Sequence, residues 1–167
     1  MSSSAVAAAH CVYLKVQMRI FAVAFLLALW FPQAAVGLPI ETIAIETHAQ
    51  LQLLRVEVAA DSASRSKGLM GRKHLAANAG MLFDFRKPLM AGFWMKDTLL
   101  PLDMLFVRAD GTISTIAANA VPFSQNEIDS AEPVRAVIEI PGGRAQALGI
   151  QPGDVVHARA FGNPYRR

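Results

Sequence analysis

The chain has 167 residues, of which 53% are hydrophobic and 17% charged, and its formal net charge is +3. This length suits one domain, whereas the apolar content exceeds that of an ordinary soluble domain, so we expect a concentrated apolar segment. From Leu38 onward there are 14 Lys and Arg against 13 Asp and Glu and no cysteine. That part can therefore form no disulfide or thiolate metal site, and it lacks the basic excess that favours nucleic-acid binding.

The concentrated apolar segment is "IFAVAFLLALWF", residues 20–31, with Met18-Arg19 before it and small residues after it. This order is typical of a secretory signal peptide. Its 12 residues are fewer than the roughly 20 that a membrane-spanning helix needs. We predict a leader over residues 1–37, cleaved after Ala35 or Gly37, and export to the periplasm or the medium. Translation from Met18 and a retained N-terminal anchor are the alternatives.

The first elements after the leader are two strands and a helix. Residues 40–46 and 51–60 alternate between the two sides of a strand, with a turn at 48–50. Asp61 or Ser62 can cap a helix that is predicted to run to about residue 72. Gly68 lies inside that helix, so it marks either close packing or the helix end.

From residue 80 the β pattern continues. Pro88 cannot donate to a strand ladder, so residues 86–92 are predicted as a loop, and Asp110-Gly111 favours the turn of a hairpin over 101–118. The remaining predicted elements are strands at 80–85, 93–96, 133–141 and within 152–161, and a short helix within 142–150 closed by Gly149.

Seven or eight strands with two short helices place the chain in the mainly β class, with an α+β content. Strands follow strands without regular intervening helices, which favours antiparallel pairing. We therefore predict that residues 38–167 form a single compact antiparallel β barrel or sandwich.

Five segments in this order resemble the family called domain of unknown function 192: "SKGLMGRKHL", "AGMLFDF", "FWMKDTLLPLDMLFV", "VIEIPGG" and "GIQPGDVV". The resemblance covers roughly residues 50–160. It implies a compact, mainly β, barrel-like domain that is often exported, and it implies no activity. Members commonly carry asparagine where this chain has Asp97, so a neutral turn residue in relatives is a charged one here.

Two acids lie in strands whose two faces both look apolar. Asp103 shares a face with Leu105 and Val107, and Glu139 shares one with Val137. A carboxylate in such a place needs a cation or several hydrogen-bond donors. We predict that at least one of the acids forms a salt bridge with Arg72 or Lys96. Capping of backbone N–H groups is the alternative.

An enzyme reading is limited by what the chain lacks. There is no G-x-S-x-G elbow, and the three histidines after the leader show no zinc-ligand spacing. A hydrolase using Asp103 and Glu139 is the remaining enzymatic alternative. Five methionines after the leader suit core packing against aromatic rings, with Cu(I) binding in the periplasm as an alternative; they are Met70, Met81, Met90, Met95 and Met104.

The leading prediction is an exported binding or accessory module of the cell envelope, not an enzyme. It combines aromatic surface with polar groups in one cleft, which suits an unidentified small molecule or envelope component. No cofactor, metal or nucleic acid is expected, and a membrane is contacted only through an uncleaved leader. The predicted site residues are Arg72, Phe93, Trp94, Lys96, Thr98, Asp103 and Glu139.

Overall fold

Strands dominate residues 37–166, which are the residues that the computed structural model describes. The predicted signal peptide and its basic flank lie outside the described residues. The helices are α1, Ser62–Lys67, and α2, Arg144–Leu148, with a 3-10 turn at Arg159–Phe161. The strands are β1 Ile40–Glu46, β2 Leu51–Ala59, β3 Ala79–Leu89, β4 Gly92–Phe93, β5 Leu102–Val107, β6 Ile113–Ala120, β7 Ile128–Asp129, β8 Val134–Pro141 and β9 Val155–His157.

Seven of these strands form one curled sheet in the order β6-β5-β8-β3-β2-β1-β9. Its pairs are antiparallel except for β2–β3, which is parallel and joined through α1. The two outer strands meet near one end, where Thr112 bridges Val155 and the Ile113 N–H donates to the Asp154 carbonyl at 2.9 Å. The sheet is thus a half-barrel, and the predicted mainly β, barrel-like fold is confirmed.

The two faces of this sheet carry two separate apolar cores. The inner core collects side chains from all seven strands, with Leu82, Leu105 and Ile138 at its centre. The outer core covers the other face of β3, β5 and β8, where Met81, Phe106 and Val137 lie. Strand alternation produces this division, because successive side chains point to opposite faces.

Helix α1 ends earlier than the sequence predicts. Its first turn is capped as expected, since the Asp61 carboxylate accepts from the Ser64 N–H at 2.9 Å. The end predicted near residue 72 is wrong, because Gly68 leaves the helical conformation with φ +47°. A Cβ on Gly68 would lie 3.3 Å from the ring of Phe83, so this glycine marks both the helix end and close packing.

The segment around "FWMK" also differs from its prediction. Strand β4 is only two residues long and pairs with β7, which sequence reasoning missed. Residues 94–98 form a turn, in which Asp97 has φ +53° and the Thr98 N–H donates to the Met95 carbonyl. Asparagine and aspartate tolerate that left-handed conformation better than most residues, so Asp97 suits this turn.

Strand β3 continues through Pro88, so the loop predicted from residue 86 is wrong in extent. Pairing with β8 is irregular between Asp84 and Leu89, and Arg86 has φ +67°. This irregularity accommodates a proline that has no N–H for the ladder. No helix among the described residues is long and apolar enough to cross a membrane.

Candidate functional site

Asp103 is an internal cap for helix α2. Its carboxylate is fully buried and accepts the backbone N–H groups of Asn119 at 2.8 Å, Gly143 at 2.9 Å and Ala145 at 2.8 Å. Three donors offset the loss of water around the charge. Asp103 therefore holds the β6 end, the Gly142-Gly143 turn and α2 together, and the capping alternative applies to it.

Glu139 is the opposite case. The residue is only 5% exposed, and no described group donates a hydrogen bond to its carboxyl group. Because no fully enclosed side-chain oxygen among the described residues lacks a partner, this carboxyl group is open to the cleft and not sealed in the core. Burial raises the pKa of Glu139 from 4.5 to about 8, because the charged form loses water without gaining a partner. At neutral pH the group is mainly a neutral carboxylic acid, which can donate one hydrogen bond and accept others.

The two acids lie on opposite faces of the sheet. Across the β5–β8 ladder Asp103 is opposite Ile140, and Met104 is opposite Glu139. Directly opposed residues point to the same face, so Asp103 belongs to the inner side and Glu139 to the outer side. The two carboxyl groups cannot act as a catalytic pair, which removes the geometry that the predicted hydrolase requires.

A cleft of about 470 Å³ lies on the outer face, with Glu139 in its wall. Helix α1 and residues 68–70 form one side, and residues 89–94 form the other. The floor is aromatic: the ring of Phe93 lies 5.1 Å from that of Phe83 and 6.4 Å from that of Phe85. The volume falls within the range of small-molecule sites, which is about 300–1,000 Å³.

Four of the predicted site residues line this cleft: Phe93, Trp94, Thr98 and Glu139. Thr98 is buried, and its hydroxyl donates to the Lys96 carbonyl at 3.2 Å, so it also closes the turn. Trp94 is 55% exposed at the rim.

The other three predicted residues do not line it. Arg72 pairs with Glu57 at 2.5 Å, and Asp103 faces the inner side. Lys96 is exposed, and its ammonium lies 5.9 Å from the centre of the Trp94 ring. The predicted salt bridge between these cations and the buried acids is wrong, because Asp103 is satisfied by backbone donors and Glu139 by losing its charge.

Sequence reasoning missed the residues that α1 and its following turn contribute. On α1 these are polar or charged residues of a short exposed helix, and they show no periodic signal. The turn after α1 adds Leu69 and Met70, and β3 adds Phe83 and Phe85. The signal that existed was Gly68, whose close approach to Phe83 places α1 over the sheet. The missed lining residues include Arg65, Lys67, Leu69, Met70, Phe83 and Phe85.

The methionines lie on the outer side. Met81 and Met104 are opposite Glu139 on its two neighbouring strands, and both are buried. Met95 is also buried in the outer core, and Met70 and Met90 line the cleft. Met81 and Met104 share the outer core with Phe83 and Phe106, which is consistent with packing on aromatic rings. Among the described residues there is no group of three His, Cys, Asp or Glu that could hold a metal ion.

A single mainly β, barrel-like domain with an external cleft is the class that this geometry defines. The chain belongs to the family called domain of unknown function 192, described as "Uncharacterized ACR", whose profile matches residues 43–158. A comparison with curated proteins finds no match.

Two of the solved structures that are similar to this chain share more than 40% of its sequence. One is a proposed transcription regulator from Sinorhizobium meliloti 1021, with 44% identity and a TM-score of 0.74, covering 76% of this chain and 99% of that one. The other is a protein of unknown function from Novosphingobium aromaticivorans DSM 12444, with 42% identity, a TM-score of 0.71, and coverage of 75% and 90%. About three quarters of this chain thus corresponds to a nearly whole chain that crystallises. Residues 38–167 cluster as one compact unit.

Proposed function

We propose that this protein is an exported accessory module of the cell envelope that binds a small molecule in the outer cleft. The observation that carries the proposal is Glu139, a buried carboxyl group without a described hydrogen-bond partner in the wall of a cleft that combines aromatic and polar side chains. A buried polar group is normally satisfied, and one that is left open next to a cavity favours a ligand that completes it.

The cleft suits a ligand with a flat or branched apolar body and one polar atom. The rings of Phe83, Phe85 and Phe93 offer an apolar floor, and neutral Glu139 offers a donor to a carbonyl or hydroxyl oxygen. Trp94 and Met90, both largely exposed at the rim, supply further apolar contact area.

The binding proposal is tested with N-phenyl-1-naphthylamine, a neutral apolar probe whose fluorescence rises in apolar surroundings, on residues 38–167. We expect saturable binding with one site per chain. Ser66→Trp places a large ring in the cleft wall from an exposed position on α1 and should weaken binding at least tenfold. Ala63→Trp is the matched control, because Ala63 is exposed on the same helix and does not line the cleft.

Trp94 provides an independent signal. It is the only tryptophan in residues 38–167, and it lies at the rim, so bound probe should quench its fluorescence by energy transfer. Binding that Ser66→Trp leaves unchanged, or that does not quench Trp94 in the wild type, would place the probe elsewhere and remove the proposal. A thermal-shift screen of metabolites, metals and envelope fragments then seeks the natural ligand.

The export part of the proposal is supported by the basic, apolar and small-residue order of residues 18–37. Fusing residues 1–37 to leaderless alkaline phosphatase, which is active only after export, should give active enzyme. The same fusion with Leu26→Arg and Leu27→Arg interrupts the apolar run and should give none. Equal activity from both fusions, or none from the first, would contradict export.

DNA binding is a second candidate function, because the S. meliloti relative is described as a transcription regulator. The helices among the described residues have only six and five residues, whereas helix-turn-helix proteins read DNA with a longer recognition helix. We expect no saturable binding to labelled duplex DNA at 150 mM salt by fluorescence anisotropy.

Cu(I) binding through methionines is tested by anaerobic Cu(I) titration against a chelator, which should show no binding tighter than micromolar.

A further inference from the structure

The positive charge of the domain is concentrated in the segment that builds the cleft. Residues 62–96 contain seven Lys and Arg and one acid, Asp84, whereas the rest of residues 38–167 contains seven Lys and Arg and twelve Asp and Glu. The near-neutral total therefore hides a basic segment and an acidic remainder. Two of these cations, Arg65 and Lys67, line the cleft, so a ligand that approaches the α1 side meets positive charge. The carboxylates of Glu127 and Asp129 lie beside Gly92 on the opposite side, which confines the positive charge to the α1 side.

Within the cleft the positive charge is held in place without being neutralised. The Nη1 group of Arg65 donates to the Ala60 carbonyl at 2.8 Å and to the Asp84 carbonyl at 3.2 Å. These acceptors are backbone carbonyls and carry no formal charge. The carboxylate of Asp84 instead pairs with Arg135 and approaches Arg86.

The remaining N–H groups of Arg65 are available. Its Nε and Nη2 have no acceptor among the described residues, and Arg65 lines the cleft. These two groups form the edge of a guanidinium that binds a planar anion through two parallel hydrogen bonds. Lys67, two residues further along α1, is exposed in the same wall and forms no described salt bridge.

We propose that the ligand is an amphipathic organic anion, whose anionic group pairs with Arg65 and Lys67 and whose apolar body lies on the aromatic floor. This inference rests on the proposed function and adds the charge of the ligand. The ordering of Arg65 before binding favours it, because little side-chain entropy is then lost. Glu139, neutral in the cleft wall, adds no repulsive charge to this arrangement.

The test uses two probes that share one apolar body. N-phenyl-1-naphthylamine is neutral, and 1-anilinonaphthalene-8-sulfonate carries an additional sulfonate. For residues 38–167 we expect the anionic probe to bind about tenfold more tightly than the neutral one at 50 mM NaCl. The preference should shrink several-fold at 500 mM NaCl, since salt screens partly exposed charges.

Variants assign the preference to the cleft. Arg65→Gln should weaken the anionic probe about tenfold and the neutral probe less than twofold. Lys73→Gln makes the same change in charge on the same basic segment, outside the cleft, and should change either probe less than twofold. If Arg65→Gln does not fold, Lys67→Gln replaces it with an expected loss of about threefold for the anionic probe.

The outcomes separate the two proposals. If neither probe binds in the cleft, the proposed function fails. If both bind equally, or if Lys73→Gln acts as strongly as the cleft variants, this inference is overturned and the binding module stands. Binding to vesicles with 30% anionic lipid, without a preference for the soluble anionic probe, would also overturn it and indicate a membrane surface.

Discussion

The two buried acids of strands β5 and β8 lie one register position apart, yet their surroundings differ completely. Asp103 on the inner side accepts three backbone N–H groups. Glu139 on the outer side accepts none from the residues that the structure describes, and its pKa is raised by burial to about 8. The hydrogen-bond donors in reach, rather than burial itself, thus distinguish a carboxyl group that ties structural elements together from one that is left open to the cleft.

The same comparison separates two parts of the domain. The inner side, with its α2 cap, is satisfied within itself. The outer side has a cleft, a basic wall and an open carboxyl group. We expect changes at Asp103 to act on stability and changes at Glu139 to act on pH dependence and binding.

Asp103→Ala should have the largest effect. It leaves three N–H groups without their acceptor in a buried place, so the free energy of unfolding should fall by about 3–5 kcal/mol. Urea denaturation at pH 7 measures this loss. Asp110→Ala, which removes an exposed carboxylate that caps the Thr112 N–H, is the control and should cost much less. Equal losses for the two variants would show that the Asp103 carboxylate contributes no more to stability than the exposed carboxylate of Asp110.

Glu139→Gln should change how stability depends on pH. The pKa in the folded state, about 8, lies above the ordinary 4.5, so between these values the unfolded chain releases a proton that the folded chain keeps. Wild-type stability should therefore fall relative to Glu139→Gln by roughly 1 kcal/mol per pH unit, or roughly 3 kcal/mol from pH 5 to pH 8.

Urea denaturation of both proteins at pH 5, 6.5 and 8 measures this difference, in which the titration of all other groups cancels. The two proteins should be close in stability at pH 4.5 and diverge above it. A difference that stays constant with pH would show that Glu139 is ionised in the folded state.

Gly143→Ala tests how the inner cap is built. Gly143 has φ +76° and presents its N–H to Asp103. Alanine in this conformation should cost about 1–2 kcal/mol in unfolding free energy. Asparagine tolerates the left-handed region better, so Gly143→Asn should recover part of the loss. If Gly143→Asn lowers the free energy of unfolding as much as Gly143→Ala does, the cause is a steric clash of the added side chain and not the left-handed backbone conformation.

Lys96→Ala should have the smallest effect. Lys96 is exposed and only approaches the ring of Trp94, so its removal should cost about 0.5 kcal/mol or less. Binding of N-phenyl-1-naphthylamine should change less than twofold. A tenfold loss would mean that the cleft extends to Lys96 and that the division between lining and distant residues is wrong.

Strands were predictable from the sequence where a local pattern, such as apolar alternation or a turn dipeptide, determines them. Alternation in residues 40–46 and 51–60, the Asp110-Gly111 turn and the helix closed by Gly149 all have local causes, and the structure contains them. Strand β7 and the short extent of β4 were not predictable, because two-residue strands depend on a partner that the sequence does not indicate.

The candidate site was half predictable. Phe93, Trp94, Thr98 and Glu139 were found because aromatic rings and an acid in an apolar strand stand out in a sequence. Arg72 was assigned wrongly, since its choice of Glu57 as a partner depends on where the turn after α1 leads. Arg65 was missed for the same reason: its carbonyl acceptors lie in segments five and nineteen residues away.

The sequence by itself determined most of the strand positions and the membership of a family. These depend on the period of a strand and on motif order, which are local properties. Only the tertiary structure decided that Asp103 meets three N–H groups, that Glu139 meets a cleft, and that Arg65 stands in its wall. Hydrogen-bond donors and cavities arise where distant segments meet, so their positions depend on the curl of the sheet.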